Sequence, residues 1–319
     1  MYFQHGNFRP EQPTTPAPNA FDIHRVRVRD ELEIAYIAEG NGYPLLLLHG
    51  WPETKRIWWR NIAPLVEAGF RVIVPDLRGF GDSEVSAQDR HDITEYSLDC
   101  QDLMTRVLGH HHYSIAAGDV GGVVAIDMAL RFESSVDRLC FFNSVPPFLG
   151  AAYTEHGLDE AGLRGDATGD YRQWQGHRPE ALIQELDTVV RRRRWVADMY
   201  GHRLWAAPHT FTQEDIDFMS EPFADAAHMQ ASWACYQLEA GTRNAHEFPR
   251  LLEKVSTPTL LLYGPEDHVI GNDFVSRCEI AFTNRVGPVV VPGAGHFLQW
   301  ERADIFNNLL AMFLNDLRR

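Results

Sequence analysis

The sequence has no stretch of about 18 apolar residues anywhere in its 319 residues, which excludes an ordinary membrane-spanning helix. It also has no excess of basic residues. Lys and Arg number 29 against 44 Asp and Glu, which gives a net charge of −15. Such a charge repels polyanions, so we expect neither nucleic acid nor an anionic membrane as the main partner.

Cysteine is scarce as well. The four cysteines lie far apart and form no Cys-x-x-Cys pair, which argues against a zinc knuckle or a redox motif: Cys100, Cys140, Cys235 and Cys278. We interpret them as buried small hydrophobic residues.

The N-terminus lacks the apolar stretch of a signal peptide and is instead polar and rich in proline. The letters YFQ at positions 2–4 resemble the remnant of an expression tag. We expect residues 1–21 to form a flexible segment and the protein to be cytoplasmic. Secretion stays open, since replacing a native leader with such a tag would take the leader out of the sequence.

Short apolar runs are what the chain has in abundance. Each is fully apolar over several residues, which predicts a strand buried on both faces: 44–50, 71–76, 113–119, 137–143, 257–264 and 287–293. Residues 26–37 alternate loosely, as in a hairpin. Segments of helical length lie between most of the runs: 58–68, 97–108 and 120–131. This alternation predicts an α/β fold with a mostly parallel sheet covered on both sides by helices.

One long region interrupts the alternation. From about residue 144 to residue 252 the patterns are helical and no convincing strand occurs. We therefore predict a helical cap at 144–252, inserted between the two parts of an α/β core at 22–143 and 253–319.

The stretch GDVGG places Asp119 where a buried strand leads into a helix. Small residues at Ala117 and Gly121 fit the pattern of a nucleophile elbow, a tight turn that exposes its central side chain. An ordinary Asp-Gly turn is the alternative. His296 follows the last predicted strand, and Asp267, or its neighbour Glu266, follows the strand before it. Nucleophile, acid and histidine thus occur in the chain order of an α/β-hydrolase triad, which favours the catalytic interpretation.

The stretch HGWP at positions 49–52 follows an apolar run where an oxyanion-hole loop belongs. The backbone N–H groups of Trp51 and Val120 are the predicted donors of that hole.

Five blocks of this sequence resemble the α/β-hydrolase-fold epoxide hydrolases: HGWPETKRIWW, VPDLRGFGDS, GDVGG, YGPED and PGAGHFLQWE. The resemblance covers the chain from about residue 22 onward and is weakest in the cap. It implies an α/β-hydrolase fold with an aspartate nucleophile and the conversion of a small-molecule epoxide to a vicinal diol. It implies no metal and no organic cofactor, and it leaves a homodimer open.

An aspartate can perform this chemistry where a serine cannot. A carboxylate, with an ordinary pKa of about 3.9, is ionised at neutral pH and can attack a saturated carbon directly, which leaves an ester. Water deprotonated by His296, with Asp267 holding the imidazole, can cleave that ester. A serine would leave an ether that water does not cleave.

The departing epoxide oxygen needs a proton donor, for which tyrosine hydroxyls are suitable. Tyr236, in CYQLEA, and Tyr171, in DYRQWQGHRPE, lie in segments that resemble the family's two cap-tyrosine blocks. His177 is the alternative to Tyr171. Packing within the cap is the structural alternative for both tyrosines.

Two other functions compete with epoxide hydrolysis. Haloalkane dehalogenases typically have tryptophan after the nucleophile and asparagine in the oxyanion loop, where this chain has Val120 and Trp51. Haloacetate dehalogenases have an arginine after the nucleophile, which is absent here. A non-catalytic binding module is the alternative of another class, and the competent residues at all three triad positions count against it.

Overall fold

The computed structural model describes residues 12–159, 169–202, 205–244 and 249–318. Within them, one eight-stranded sheet has the order β1-β2-β4-β3-β5-β6-β7-β8. Strands β3 to β8 are parallel to one another, and β2 is antiparallel to both of its neighbours. This confirms the predicted α/β fold. The strands are β1 His24–Arg27, β2 Glu33–Glu39, β3 Tyr43–Leu48, β4 Phe70–Pro75, β5 Tyr113–Gly118, β6 Val136–Phe142, β7 Thr259–Tyr263 and β8 Arg285–Val290.

The central strands are buried on both faces, as their apolar runs predict. Leu45, Leu46, Leu47 and Leu48 of β3 are all fully buried. Because consecutive strand residues point to opposite sides, helices must cover the sheet on both faces. Truncating any one of these leucines to alanine would cost about 2–5 kcal/mol.

Helices follow most strands and give the layers on either side of the sheet. Helix α1 packs against α13, and α2 packs against α3. The helices are α1 Trp59–Glu67, α2 Ile93–Asp102, α3 Asp119–Arg131, α4 Ala151–Thr154, α5 Gly169–His177, α6 Pro179–Glu185, α7 Val189–Gly201, α8 Gln213–Ser220, α9 Ala226–Ala231, α10 Ala234–Glu239, α11 Phe274–Ala281, α12 Leu298–Glu301 and α13 Ala303–Phe313.

Helix α2 begins earlier than its apolar pattern predicts. The predicted start was Ser97, but the helix starts at Ile93 because the Asp92 carboxylate accepts a hydrogen bond from the Glu95 N–H at 2.9 Å. This is an N-cap, and it adds a first turn ahead of Ser97. Beyond α2 the chain continues as a π-helical turn, Leu103–Val107.

Between β6 and β7 the described residues form the helices α4 to α10, with turns between them. The described residues of the predicted cap contain no strand, while residues 160–168, 203–204 and 245–248 of that cap lie outside the described ranges. The division into core and cap at residues 144 and 252 stays a prediction. Among the described helices, none combines the length and apolarity needed to cross a membrane.

The described part of the predicted N-terminal segment contacts the core. Gln12 Nε2 donates to Asp304 Oδ1 at 2.7 Å, and the Trp59 indole N–H donates to the Ala17 carbonyl at 3.2 Å. The Phe21 ring packs edge-on against the same indole. Residues 1–11, which include YFQ, lie outside the described residues.

The register of the parallel strands brings their carboxyl ends to one edge of the sheet. Leu48 at the end of β3 is level with Ala117 of β5, Ala117 with Phe141, and Phe142 with Leu262. The loops that follow these strands therefore meet at one edge, where ligands bind in open α/β sheets.

Candidate active site

Asp119 lies in the tight turn between β5 and α3. Its φ is +46°, a left-handed conformation that is uncommon for residues other than glycine. Both backbone groups of Asp119 are hydrogen-bonded, which holds the turn: its N–H donates to the Asn143 carbonyl at 3.1 Å, and its carbonyl accepts from the Ser144 hydroxyl. A β-carbon on Gly121 would lie 2.6 Å from the carbonyl oxygen of His49, so the turn requires glycine there. The geometry is that of a nucleophile elbow.

The loop after β3 reaches the carboxylate of Asp119. The Trp51 N–H donates to Asp119 Oδ1 at 2.7 Å. A β-carbon on Gly50 would lie 2.4 Å from the same oxygen, so glycine permits the approach. Trp51 thus occupies the position predicted for an oxyanion-hole donor. Val120 is in the first turn of α3, directly after Asp119, and its N–H as second donor stays a prediction.

His296 stands between two carboxylates. Its Nδ1 lies 3.0 Å from Asp267 Oδ2, and since a carboxylate only accepts, Nδ1 carries the proton. Its Nε2 lies 3.3 Å from Asp119 Oδ2 without hydrogen-bond geometry, which makes this a charge contact. The remaining oxygen of Asp267 accepts the N–H groups of Val269 and Ile270 at 2.7 and 3.1 Å. These bonds fix Asp267 as the partner of His296.

The structure also separates the two candidates for the acid. Asp267 is fully buried against His296, whereas Glu266 is exposed and contributes only its N–H to the Ala294 carbonyl.

Burial lowers the pKa of His296, but the negative charges of Asp267 and Asp119 outweigh it and hold this pKa well above its ordinary value. The two carboxylates therefore favour the protonated form of the imidazole.

Both predicted cap tyrosines line the same cavity as Asp119. The Tyr171 ring, on α5, stacks on Trp51 with centroids 5.4 Å apart, and the Tyr236 ring, on α10, meets Tyr171 edge-on at 5.6 Å. Burial raises the pKa of both phenols above the ordinary value of 10, so their hydroxyls remain protonated and can donate. His177, at the end of α5, is exposed and is not among the residues that line the cavity.

The cavity has a volume of about 580 Å³, and Asp119 forms part of its wall. Part of its wall is apolar: Val120, Val123, Val145, Phe148, Val269 and Ile270. A volume of this size suits a small organic molecule.

Two buried carboxyl groups support the site and were missed at the level of sequence. Glu53 accepts the Gly50 N–H at 2.6 Å and the Gln299 amide at 2.9 Å. Glu301 accepts three N–H groups of the cap and of the His296 loop. Burial raises the pKa of each to about 7, against the opposing effect of the N–H donors. Both glutamates lie inside blocks that resemble the epoxide hydrolases, HGWPETKRIWW and PGAGHFLQWE. Their place in these blocks was the signal that the sequence offered.

A sequence model of the alpha/beta hydrolase fold family matches residues 43–303 of this chain. The match spans well over half of the chain, and the sheet order and nucleophile elbow agree with it. The chain belongs to the alpha/beta hydrolase fold family.

Known members of that family resemble the chain over most of its length. The soluble epoxide hydrolase of Corynebacterium sp. (strain C12) is 28% identical over 290 residues, which cover 89% of this chain and 94% of that protein. A haloalkane dehalogenase of Psychrobacter cryohalolentis is 25% identical, with 93% of each chain covered. The structure of the epoxide hydrolase CorEH without ligand superposes with a TM-score of 0.76 at 24% identity, over 93% of this chain and 100% of that one.

Proposed function

We propose that the chain is an epoxide hydrolase that forms an alkyl ester on Asp119 and hydrolyses it with water activated by His296. The observation that carries the proposal is the shared cavity: the Asp119 carboxylate and the rings of Tyr171 and Tyr236 line one space of about 580 Å³. The relatives named epoxide hydrolase support the same assignment.

In the first step, an Asp119 carboxylate oxygen attacks a ring carbon and the carbon–oxygen bond of the epoxide breaks. The electron pair goes to the epoxide oxygen, which takes a proton from a phenol of Tyr171 or Tyr236. The geometry suits this step because both phenols are protonated donors and nothing needs to deprotonate the nucleophile. Nothing leaves, so the enzyme gains the whole mass of the epoxide.

The second step depends on a change of charge at residue 119. Esterification turns the Asp119 carboxylate into a neutral group and so removes one of the two charges that raise the pKa of His296. The pKa of His296 then falls, and the imidazole gives its Nε2 proton to the tyrosine oxygen that lost one in the first step. The neutral imidazole can then act as a base and take a proton from water. Water attacks the ester carbonyl, whose developing negative charge the Trp51 N–H would receive. The ester carbon–oxygen bond then breaks, and the departing alcohol oxygen takes the proton that His296 removed from water. The proton of the new carboxyl group returns to His296, so the diol leaves with the Asp119 carboxylate restored.

The His296→Ala variant tests this proposal, because it should alkylate and then stop. Incubation with styrene oxide followed by intact-protein mass spectrometry should show a gain of one whole epoxide, on the peptide that contains Asp119. The His112→Ala variant, which removes an exposed histidine before β5, should not accumulate the adduct. Asp119→Asn should abolish it in the His296→Ala background.

The same assay separates the competing functions. A bromoalkane that labels His296→Ala with a gain of its mass minus HBr, with no labelling by epoxides, would favour a haloalkane dehalogenase. Absence of any adduct from a folded variant would favour a non-catalytic binding module.

A further inference from the structure

One guanidinium nitrogen of an arginine in the cavity wall has no acceptor among the described residues. Arg250 lies between the cap helices and β7, and its Nη2 is buried without a hydrogen-bond partner in the described part of the chain. Its neighbour in the cavity wall, Arg243, is different: Arg243 Nη2 lies 2.8 Å from the Asp89 carboxylate, and Nη1 donates to Gln237 Oε1 at 3.2 Å. Asp127 and Glu239 attract the Arg250 guanidinium electrostatically, but no carboxylate among the described residues pairs with its Nη2.

Nearby carboxylates do not supply the missing partner. Asp127 binds the Arg131 guanidinium with both oxygens, at 2.9 and 3.0 Å. Glu239, which also lines the cavity, forms no ion pair with Arg250 among the described residues, and the Phe148 ring packs 5.5 Å from the guanidinium carbon. Burial lowers the pKa of Arg250, yet an arginine stays protonated in proteins. A buried charge left in this state is unfavourable, and an anionic ligand would relieve it.

The position of Arg250 sets where such a ligand group would lie. The N–H of the next residue, Leu251, donates to Asp127 Oδ1 at 3.3 Å. Asp127 is eight residues along α3 from Asp119, a little over two turns and roughly 12 Å. Val123, between them on the helix, lines the cavity too. A substrate with its ring at Asp119 and an acceptor at Arg250 would thus lie along Val123, with several bonds between the two groups.

We propose that the substrate is an epoxide that carries a carboxylate, and that Arg250 binds this carboxylate while Asp119 attacks the ring. The inference rests on the proposed epoxide hydrolase function and adds the substrate class. A guanidinium matches the two oxygens of a carboxylate with parallel N–H donors. Because the chain has a net charge of −15, an anionic substrate is repelled overall, and the positive charge of Arg250 offsets this repulsion inside the cavity.

The test compares the terminal epoxide of heptenoic acid with its methyl ester, which has the same ring and carbon chain without the charge. For the wild-type enzyme, kcat/KM should be about 10- to 100-fold higher for the acid, as for one charge-assisted hydrogen bond pair. Arg250→Met, which keeps an apolar stem, should remove this preference mainly through KM and leave the ester within about a factor of two. Arg250→Lys should restore part of the preference.

Failure of this inference differs from failure of the proposed function. If the wild type hydrolyses the epoxide methyl ester as well as the epoxide acid, Arg250 does not bind a substrate carboxylate, while the proposed epoxide hydrolase function still holds. An equal loss on both substrates in a folded Arg250→Met variant would also overturn it, since the arginine would then act only on structure. If that variant does not fold, the wild-type preference and its decrease with rising salt decide the matter. Hydrolysis of neither substrate, together with no adduct in His296→Ala, would refute the proposed function itself.

Discussion

Glu301 joins the cap to the histidine loop, and its replacement should reveal what that junction contributes. Oε2 accepts the N–H groups of Ala207, from the cap, and Gly295 at 2.7 and 2.9 Å, and Oε1 accepts the Phe297 N–H at 2.9 Å. In the same region the His296 N–H donates to the Trp205 carbonyl at 2.6 Å. The carboxylate thus holds the backbone on both sides of His296.

In Glu301→Gln, the amide oxygen can replace Oε2 and keep two of the three bonds, but its NH₂ then faces the Phe297 N–H. One buried donor left unpaired costs about 1–3 kcal/mol, so we expect the free energy of unfolding to fall by that amount. Glu301→Ala leaves all three donors unpaired and should cost about 3 kcal/mol or more by the same reasoning.

Urea unfolding at pH 8, above the pKa of about 7 for Glu301, measures this loss while the carboxylate is charged. Glu279→Gln, which removes an exposed glutamate of α11, is the matched control and should stay within about 0.5 kcal/mol of the wild type. In single-turnover kinetics, ester hydrolysis should slow more than alkylation, because the loop carries His296. A folded Glu301→Gln variant as stable as the control would refute the three-donor account.

Three further predictions concern other parts of the site. Tyr236→Phe should slow alkylation about 10- to 100-fold and leave hydrolysis of the ester nearly unchanged. Rapid-quench experiments measure the rate of each step, and an unchanged alkylation rate would contradict the role of Tyr236. Gly121→Ala places a β-carbon 2.6 Å from a main-chain carbonyl and should destabilise the fold by about 1–3 kcal/mol, whereas Gly201→Ala at the end of α7, with no atom closer than 3.9 Å, should not. Glu53 and Glu301 have folded pKa values of about 7, above the ordinary 4.5, so the folded state holds their protons more tightly. The stability that their protonation adds is therefore fully present below pH 4.5 and is lost as the pH rises through 7. Glutamine at either position should flatten the slope of unfolding free energy against pH.

The sheet and the triad could be predicted from the sequence because their signals are local. Buried parallel strands appear as short apolar runs, and Asp119, Asp267 and His296 each follow such a run at the edge where the strands end. The structure brings these three side chains together, with the Trp51 N–H on the Asp119 carboxylate. The two cap tyrosines came from resemblance to family blocks, and both line the cavity.

Other features depend on contacts between distant parts of the chain, which no local pattern records. Glu301 finds its Ala207 partner 94 residues away in sequence, and the N-terminal Gln12 meets Asp304 at a separation of 292 residues. Arg250 lies in a segment with no periodicity, so its place in the cavity wall emerges only from the fold. The earlier start of α2 is an exception, because the Asp92 cap three residues before Glu95 was visible in the sequence.

The contact between residues 205–207 and the loop of His296 limits how family members can be recombined. A chimaera that exchanges the region between β6 and β7 would also exchange the Trp205 carbonyl and the Ala207 N–H, on which the imidazole loop rests. A replacement segment should therefore be chosen first for a backbone carbonyl at the position of Trp205 and a backbone N–H at the position of Ala207. The shape of the pocket that the segment forms is the second criterion.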